Sequence, residues 1–317
     1  LVICDNTYEL ERLSRVASGA GVRQPILLRV IPSISAGAHP SIETGGDDSK
    51  FGMTPDEAIS AFRHASASPG IVPVGVHTHV GSQIDGARPF LSAVDALVDF
   101  AARAAEVTGT TLRRFDIGGG FPAVYMDEEI LDIATIADAV RSRLRDGLAR
   151  RGLPPGELIV EPGRAIVANA GITLYRVGSV KVRAGRVLAA VDGGMSDNIR
   201  PALYDARYTV VLASPTAGRP VRTVDVVGRH CESGDVIARG CRLPEPRPGD
   251  LLAVAATGAY CYSMASNYNQ VGRPAVVGVR DGRAAPWLRR ETADDLRALE
   301  VGIPEPIVHV AQAASAT

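Results

Sequence analysis

Apolar residues in the first half of the chain occur in short runs that alternate with segments of helical spacing. The apolar runs predict five strands, at residues 1–5, 25–31, 72–79, 112–117 and 158–161. Amphipathic spacing predicts helices between them, at residues 8–17, 54–67, 87–108 and 130–151. Strands that alternate with helices usually pair in parallel, because each helix carries the chain back to the same end of the sheet. We therefore expect parallel βα units.

Each of the later strands in this half ends in polar or glycine-rich residues. The segments that follow the strands are HTHVGSQ, DIGGGFP and EPGR. In a β/α barrel, residues at the carboxyl ends of the strands form the active site. Because five strands cannot close an eight-stranded barrel, we expect either an open sheet or about three further βα units before residue 1.

The hydrophobic period changes after Ala170. Short β-branched runs separated by turns are typical of an antiparallel sandwich or barrel, and they occupy residues 172–183, 186–194, 208–213, 221–228, 251–258 and 275–282. We predict a partial β/α barrel over residues 1–168, a β-sandwich domain over 169–300 and a tail over 301–317.

Composition narrows the choice of partners. The chain has 317 residues, a net charge of -1 and no basic run, which argues against nucleic acid or an anionic membrane as a partner. No apolar stretch approaches the roughly 20 residues that span a bilayer. The four cysteines lack CxxC spacing, which argues against a zinc site or a disulfide framework. A cytoplasmic protein is expected.

Two strand ends carry candidate cofactor ligands. The glycines Gly118, Gly119 and Gly120 would let backbone N–H groups approach a phosphate, although a tight βα turn explains them equally well. His77 and His79 fall on one face of their strand, but the sequence offers no clear third and fourth metal ligand, so we predict no metal. We expect His79 to face a cofactor with Ser82 near its phosphate, and His77 to be a core histidine.

Charged residues follow the last predicted strand of the barrel. Glu161 comes after a fully apolar run, so its carboxylate should lie at the mouth of the barrel and require a partner. A protonated pyridine nitrogen is such a partner, and a solvated ion pair with Arg164 is the alternative. Loop residues further along, which could bind a carboxylate or phosphate or supply a thiol, are Arg200, Tyr204, Cys231, Glu232 and Tyr260.

Taken in order, the motifs of the chain resemble those of the diaminopimelate decarboxylases, a family of fold-type III pyridoxal phosphate enzymes. The resemblance spans residues 1–300 and rests on ETGGDDSKFG, HTHVGSQ, DIGGGFP, EPGRAIVANAG, VDGGMSDNIRPALYDA, GRHCESGD and GAYCYSMASNYN. It implies a (β/α)8 barrel of the alanine racemase-like type that binds pyridoxal 5'-phosphate (PLP). A C-terminal β-sandwich would complete the active sites of a homodimer.

The resemblance also implies roles for individual residues. The cofactor-binding residues would be His79 against the ring, Glu161 at the pyridinium nitrogen, and Ser82, Gly118, Gly119, Gly120, Gly163, Arg164 and Tyr260. The substrate-binding residues would be Arg164, Arg200 and Tyr204 at the distal carboxylate, Glu232 at the distal ammonium, and Tyr260. Cys231 of the partner subunit would donate the proton that replaces the lost CO2.

One family feature has no counterpart in the chain. The family attaches PLP through a lysine in a segment resembling YAxKAN, whereas the only lysines here, Lys50 and Lys181, lie in other contexts. We therefore expect the chain to be an N-terminally truncated decarboxylase that is inactive by itself.

The implied reaction of the parent enzyme converts meso-2,6-diaminopimelate to L-lysine and CO2. The alternatives are a related ornithine, arginine or lysine decarboxylase, or a degenerate, non-catalytic paralogue.

Overall fold

The computed structural model describes residues 1–32, 50–129 and 132–302. Contacts within the chain divide it into two compact units. The first unit comprises Leu1–Leu174, Tyr204–Pro215 and Leu251–Tyr260, and the second comprises Tyr175–Leu203, Thr216–Asp250 and the chain from Cys261 onward. Two segments that follow the predicted barrel, around residues 210 and 255, thus belong to the first unit.

All of the strands predicted in the first half are present and pair in parallel in chain order. They are β1 (Val2–Cys4), β2 (Gln24–Arg29), β3 (Ile71–His77), β4 (Arg114–Asp116) and β5 (Glu157–Ile159). The accompanying helices are α1 (Thr7–Gly19), α2 (Pro55–Ala67), α3 (Arg88–Thr108), α4 (Ile133–Arg150) and the short α5 (Arg164–Val167). Their apolar faces share one core with the sheet, whose largest fully buried side chains include Phe62, Phe90 and Phe115.

Polar side chains at the helix starts determine where the helices begin. Thr54 forms a capping box with Glu57 at the start of α2, as expected for Thr followed by Pro and an acidic first turn. Asp132 accepts a hydrogen bond from the backbone of Thr135, so α4 begins at Ile133. The predicted start at residue 130 lies outside the described residues.

The register of the sheet brings the ends of its strands to one edge. Arg29 of β2 pairs with His77 of β3, which pairs with Asp116 of β4, and Asp116 pairs with Ile159 of β5. The loops that follow β3, β4 and β5 therefore leave the sheet side by side. This is the arrangement on which an active site at the carboxyl ends of the strands depends.

The later part of the chain is rich in β-structure. The remaining elements are β6 (Thr173–Arg183), β7 (Arg186–Val191), α6 (Arg200–Tyr204), β8 (Val210–Leu212), β9 (Val221–Val227), β10 (Val236–Pro244), β11 (Leu251–Val254), β12 (Val276–Arg280), β13 (Arg283–Leu288) and α7 (Ala293–Arg297). In the first unit β8 and β11 pair antiparallel. In the second unit the order is β10-β9-β7-β6, and β12 pairs with β13.

Three features of this part differ from the prediction. The pair β7–β9 is parallel, because the long connection between these strands lets the chain return in the same direction. The strands β10 and β13 were missed. Register shifts interrupt β10 around Gly240, and both faces of β13 are exposed, so neither strand shows alternation of apolar and polar residues.

Some predicted features fall on residues that the structure does not describe. Residues 43–49 of the ETGGDDSKFG motif and residues 303–317 of the predicted tail lie outside the described residues. Within the described part of the chain, no helix combines the length and the apolar character required to cross a bilayer.

We predict that Gly75→Ala strongly destabilises the first unit. A Cβ at this position of β3 would lie 2.1 Å from the carbonyl oxygen of Arg114 in β4. Because backbone atoms cannot move aside as a flexible side chain does, we expect a loss of at least about 2 kcal/mol in the free energy of unfolding, measured by urea denaturation.

The matched control is Gly178→Ala in β6, where the nearest atom to a new Cβ is 3.7 Å away. This change should be neutral or stabilising by up to about 1 kcal/mol. Equal effects of the two substitutions would contradict the assigned contact between β3 and β4.

Candidate active site

A row of polar side chains lies at the carboxyl ends of the parallel strands. Arg29, His77 and Asp116 are in register on adjacent strands, so their side chains point to the same face. Glu161 follows β5, and its carboxylate Oε2 lies 3.6 Å from Nε2 of His77. An imidazole nitrogen of His77 and a carboxylate oxygen from each of Asp116 and Glu161 all lie within 4.8 Å of one another. The row thus concentrates carboxylates and imidazole in one place.

Glu161 carries the negative charge of this row. Its backbone N–H donates to the carbonyl of Gly118 at 2.9 Å, which fixes the loop after β5 against the loop after β4. The nearby His77 imidazole holds the pKa of Glu161 below its usual value against the effect of partial burial, and the charge of Arg29 acts in the same direction. Burial raises the pKa of Asp116 instead. The pKa values of these two neighbouring carboxyl groups are therefore shifted in opposite directions.

His79 is held as a neutral imidazole. The backbone N–H of Gly119 donates to its Nδ1 at 3.0 Å, so we assign the ring proton to Nε2. Burial lowers the pKa of His79 to about 4, with further contributions from Arg29 and His77. The resemblance implies that the N–H of Gly119 binds a phosphate. In this structure the same N–H donates to His79. A Cβ on Gly119 would lie 2.5 Å from the carbonyl oxygen of Glu161, so only glycine fits there.

The loops after β3 and β4 are tied together by backbone and side-chain hydrogen bonds. The N–H of Ile84 donates to the carbonyl of Gly120 at 2.9 Å. The Gln83 amide both donates to the carbonyl of Ala123 at 2.6 Å and accepts from the N–H of the same residue at 3.1 Å. Gly120 has φ +96, and a Cβ there would lie 2.4 Å from the carbonyl of Gly81. These contacts fix the position of Ser82 between the loops.

Arg164 is a buried cation in the same unit. It is 6% exposed, its Nη2 donates to Oγ of Ser82 at 2.7 Å, and its Nη1 donates to the hydroxyl of Tyr125. The guanidinium also lies over the ring of Tyr260, 4.8 Å from its centroid. Its Nε is buried without a hydrogen-bond partner. Among the described residues no carboxylate is paired with Arg164.

A buried guanidinium without a counter-charge is costly, so the surroundings of Arg164 suit an anion. The space beside it is open at Gly163, where a Cβ would meet only the Tyr260 hydroxyl, at 3.8 Å. Tyr260 itself adopts φ +60, a strained conformation for an aromatic residue. Strain of this kind persists where the surroundings impose it and is common at functional sites.

The second unit carries the predicted cysteine and glutamate. Cys231 and Glu232 are exposed in the loop between β9 and β10. The buried His230 precedes them, and its Nε2 lies 2.8 Å from Oγ of Ser196. Asp235 accepts a hydrogen bond from the backbone N–H of His230 at 2.7 Å. The Cys231–Glu232 loop therefore projects from a rigid base.

Two further residues were predicted in loops but occupy a helix. Arg200 and Tyr204 begin and end α6, four residues apart and hence on one face. Pro201 favours a helix start because its φ is already helical. The Arg200 side chain is buried and that of Tyr204 is half-buried.

All nine predicted cofactor ligands belong to the first unit. These are His79, Ser82, Gly118, Gly119, Gly120, Glu161, Gly163, Arg164 and Tyr260. Cys231, Glu232 and Arg200 belong to the second unit. His77 is buried as predicted, yet its Nδ1 has no partner and its Nε2 faces Glu161, so it is more than a satisfied core histidine.

Several residues of the site were not predicted. Gln83 and Asp116 stand inside the motifs HTHVGSQ and DIGGGFP, so attention to every polar position of those motifs would have found them. Tyr125 carries no sequence signal. Tyr268, whose hydroxyl donates to Glu232, lies in the last motif of the resemblance.

We predict that acid destabilises the fold through His79. Its pKa is about 4 when folded and about 6.5 when unfolded. The unfolded chain therefore binds the proton more readily, and the free energy of unfolding should fall as the pH drops from about 6.5 to about 4, with no further loss from this group below that range.

An NMR titration of the His79 ring and urea unfolding at several pH values test this prediction. His79→Asn should flatten the pH dependence, and His64→Asn, an exposed change on α2, should leave it intact. A His79 ring that becomes protonated near pH 6.5 would refute the assignment.

Comparisons with known proteins agree with this geometry. The model of the family described as pyridoxal-dependent decarboxylase, pyridoxal binding domain, matches residues 1–168. The diaminopimelate decarboxylase of Actinosynnema pretiosum subsp. auranticum is 45% identical over 304 residues, which cover 95% of this chain and 68% of that protein.

Solved structures show the same relationship. The diaminopimelate decarboxylase from Helicobacter pylori, complexed with L-lysine, matches with a TM-score of 0.86 and 34% identity over 94% of this chain and 72% of that chain. A lysine/ornithine decarboxylase from Vibrio vulnificus, complexed with cadaverine, matches less well, with a TM-score of 0.68 and 26% identity over 85% of this chain and 65% of that chain.

These similarities confirm the predicted fold class, a β/α barrel of the alanine racemase-like type followed by a C-terminal β domain. The chain belongs to the pyridoxal-dependent decarboxylase family, in its diaminopimelate decarboxylase branch.

Proposed function

We propose that the protein is a PLP-dependent carboxy-lyase that converts meso-2,6-diaminopimelate to L-lysine and CO2. The observation that carries this proposal is the pair of opposite charges in the first unit. Glu161 is an anion at the strand ends, and Arg164 is a buried cation without a carboxylate partner among the described residues. A ligand with a phosphate at one end and a protonated ring nitrogen at the other matches both charges.

The residues of the first unit fit PLP. Arg164 and Ser82 present a guanidinium and a hydroxyl to the phosphate, and the buried Nε of Arg164 has a donor to spare. Gly163 and Tyr260 leave room beside them. Of the two roles predicted for Arg164, its contacts support the phosphate rather than the substrate carboxylate. Because Gly118 and Gly120 have no side chains, the backbone of this turn could approach the phosphate closely. Gly119 instead fixes His79 through its backbone hydrogen bond.

Bound PLP supplies an electron sink for the electron pair of the C–CO2 bond. The Glu161 carboxylate holds a proton at the ring nitrogen and so keeps the sink effective. The neutral His79 ring would hold the cofactor ring without adding a competing charge. Cys231 would give its thiol proton to the carbon that loses CO2, and a proton from water would restore the thiol. One C–C bond breaks, one C–H bond forms, and the products are L-lysine and CO2.

The choice of substrate rests on the groups at the far end of the molecule, away from the carbon that loses CO2. Ornithine, arginine and lysine lack the second carboxylate that diaminopimelate carries. A buried Arg200 beside Tyr204 on α6 suits that carboxylate, and Glu232 suits the distal ammonium. The greater similarity to a diaminopimelate decarboxylase than to a lysine/ornithine decarboxylase supports the same choice. The presence of Glu161 and Arg164 in this geometry argues against a non-catalytic paralogue.

We further propose that the protein acts in the cytoplasm as a homodimer with shared active sites. Its four cysteines lack CxxC spacing, which argues against a disulfide framework and suits a reducing compartment. Cys231 and Glu232 lie in a different unit from the cofactor ligands. In a two-fold dimer, each site takes its phosphate ligands from one chain and Cys231 from the other.

The test of activity uses the complete gene product with PLP and meso-2,6-diaminopimelate, and it measures L-lysine and released CO2. We expect stoichiometric formation of both products and little turnover of ornithine, arginine or lysine. Glu161→Gln should retain PLP and lose turnover on the order of 100-fold, because a neutral amide cannot hold the ring proton.

Glu157→Gln is the matched control, since this exposed residue of β5 is paired only with Arg114. It should change turnover less than about twofold. A wild-type protein that binds PLP but releases no CO2 from diaminopimelate would refute the proposed reaction.

The shared site predicts complementation between two inactive parents, Glu161→Gln and Cys231→Ala. In a mixed dimer one site carries both lesions and the other is intact, and random exchange makes about half of all dimers mixed. About a quarter of the wild-type activity should therefore return after subunit exchange.

Exchange is verified by native mass spectrometry of two differently tagged parents. If mixed dimers form without recovery of activity, Cys231 does not act in the site of the partner subunit.

A further inference from the structure

His77 is a buried residue of the strand-end row to which the resemblance gives no role. It ends β3, is 3% exposed and has no hydrogen-bond partner at Nδ1. Its other ring nitrogen lies 3.6 Å from the Glu161 carboxylate. A buried imidazole that is satisfied at neither nitrogen by the backbone is unusual for a core histidine. Among the described residues, the polar group nearest to its ring nitrogens is the Glu161 carboxylate.

The charges around Glu161 explain why this contact matters. The ionisable groups that face it are Arg29 from β2, His77 and His79 from β3 and its loop, and Asp116 from β4. Two of the three possible supporting groups have their closest contacts with other residues. The Arg29 guanidinium lies over the ring of Phe51, 4.7 Å from the centroid, and 3.9 Å from the Asp5 carboxylate.

His79 cannot support Glu161 as a cation, because its Nδ1 accepts the Gly119 hydrogen bond and its pKa is about 4. Asp116 is a second carboxyl group in the row, and its pKa is raised by burial and by Glu161. Without a donor beside it, Glu161 would share the tendency of Asp116 to take up a proton. His77 is the donor in position to prevent this.

We propose that His77 is a positioning residue that orients the Glu161 carboxylate and keeps it ionised toward the ring nitrogen of the cofactor. With the ring proton assigned to Nε2, this N–H is directed at Oε2 of Glu161, 3.6 Å away, and the lone pair lies on the buried Nδ1. This inference rests on the proposed function, since the proton that Glu161 holds belongs to bound PLP. It assigns to the first histidine of HTHVGSQ a role distinct from that of the second.

The experiment follows the ring nitrogen of ¹⁵N-labelled PLP by NMR in the complete protein near neutral pH. In the wild type the signal should have the shift of a protonated pyridine. His77→Phe keeps a flat ring but removes the donor, so Glu161 becomes more basic and competes for the proton. The signal should move toward that of the neutral ring, and the Kd for PLP should rise on the order of tenfold.

His77→Gln tests whether the hydrogen-bond donor at this position matters, or only the volume of the side chain. Its amide N–H can still donate to Glu161, so the ring-nitrogen shift and the Kd should lie between those of the wild type and His77→Phe. His64→Phe, an exposed histidine of α2, is the matched control and should change neither. A purely structural role would lower thermal stability in both His77 variants and leave the ¹⁵N shift unchanged.

A second measurement needs no cofactor. A ¹³C titration of the Glu161 carboxyl group in PLP-free protein should give a pKa below the usual value in the wild type and a higher one in His77→Gln. This titration tests the role of His77 even if His77→Phe fails to fold.

The outcomes separate this inference from the proposed function. A wild type that binds no PLP refutes the proposed function. If PLP binds, an unchanged ¹⁵N signal in folded His77→Phe overturns the role of His77, and so does an unchanged Glu161 pKa in His77→Gln.

Discussion

The candidate site depends on how closely the Gly118–Gly120 turn approaches the loops on either side. A Cβ on Gly119 would strike the carbonyl of Glu161, and one on Gly120 would strike the carbonyl of Gly81. Because the turn fits between these loops only without side chains, its backbone can bond to both. The carbonyl of Gly118 accepts from Glu161, and the N–H of Gly119 donates to His79. One steric constraint thus sets the positions of a charged and a neutral side chain.

The charges of the first unit follow from what surrounds each group rather than from residue type alone. Glu161 and Asp116 are both carboxyl residues at neighbouring strand ends, yet imidazole contact lowers the pKa of the former and burial raises that of the latter. His79 is neutral because burial lowers its pKa, and a backbone N–H donates to its unprotonated nitrogen. Arg164 keeps its charge while surrounded by hydroxyl groups and aromatic rings. Each of these states is what binding of a dipolar aromatic cofactor requires.

Sequence reasoning predicted the parallel strands and the chemistry at their ends because both depend on local pattern. Apolar runs such as 72–79 identify buried strands, and the polar residues after them must lie at the strand ends. It failed where tertiary context decides. The exposed β13 has no apolar face, and the direction of β9 depends on the path of a long connection. The contact between His79 and Gly119 joins residues 40 positions apart, which no local pattern encodes.

The division of the chemistry between elements has a consequence for substrate choice. The proposed cofactor ligands stand at strand ends and in loops tied by hydrogen bonds, where a shift of one residue moves its neighbours. Glu232 instead stands on an exposed loop, with the hydroxyl of Tyr268 as its hydrogen-bond donor. If Glu232 binds the distal end of the substrate as proposed, a new residue there would alter which distal group binds without disturbing the hydrogen bond between His230 and Asp235. Decarboxylases of one family can therefore differ in substrate while the strand-end chemistry stays the same.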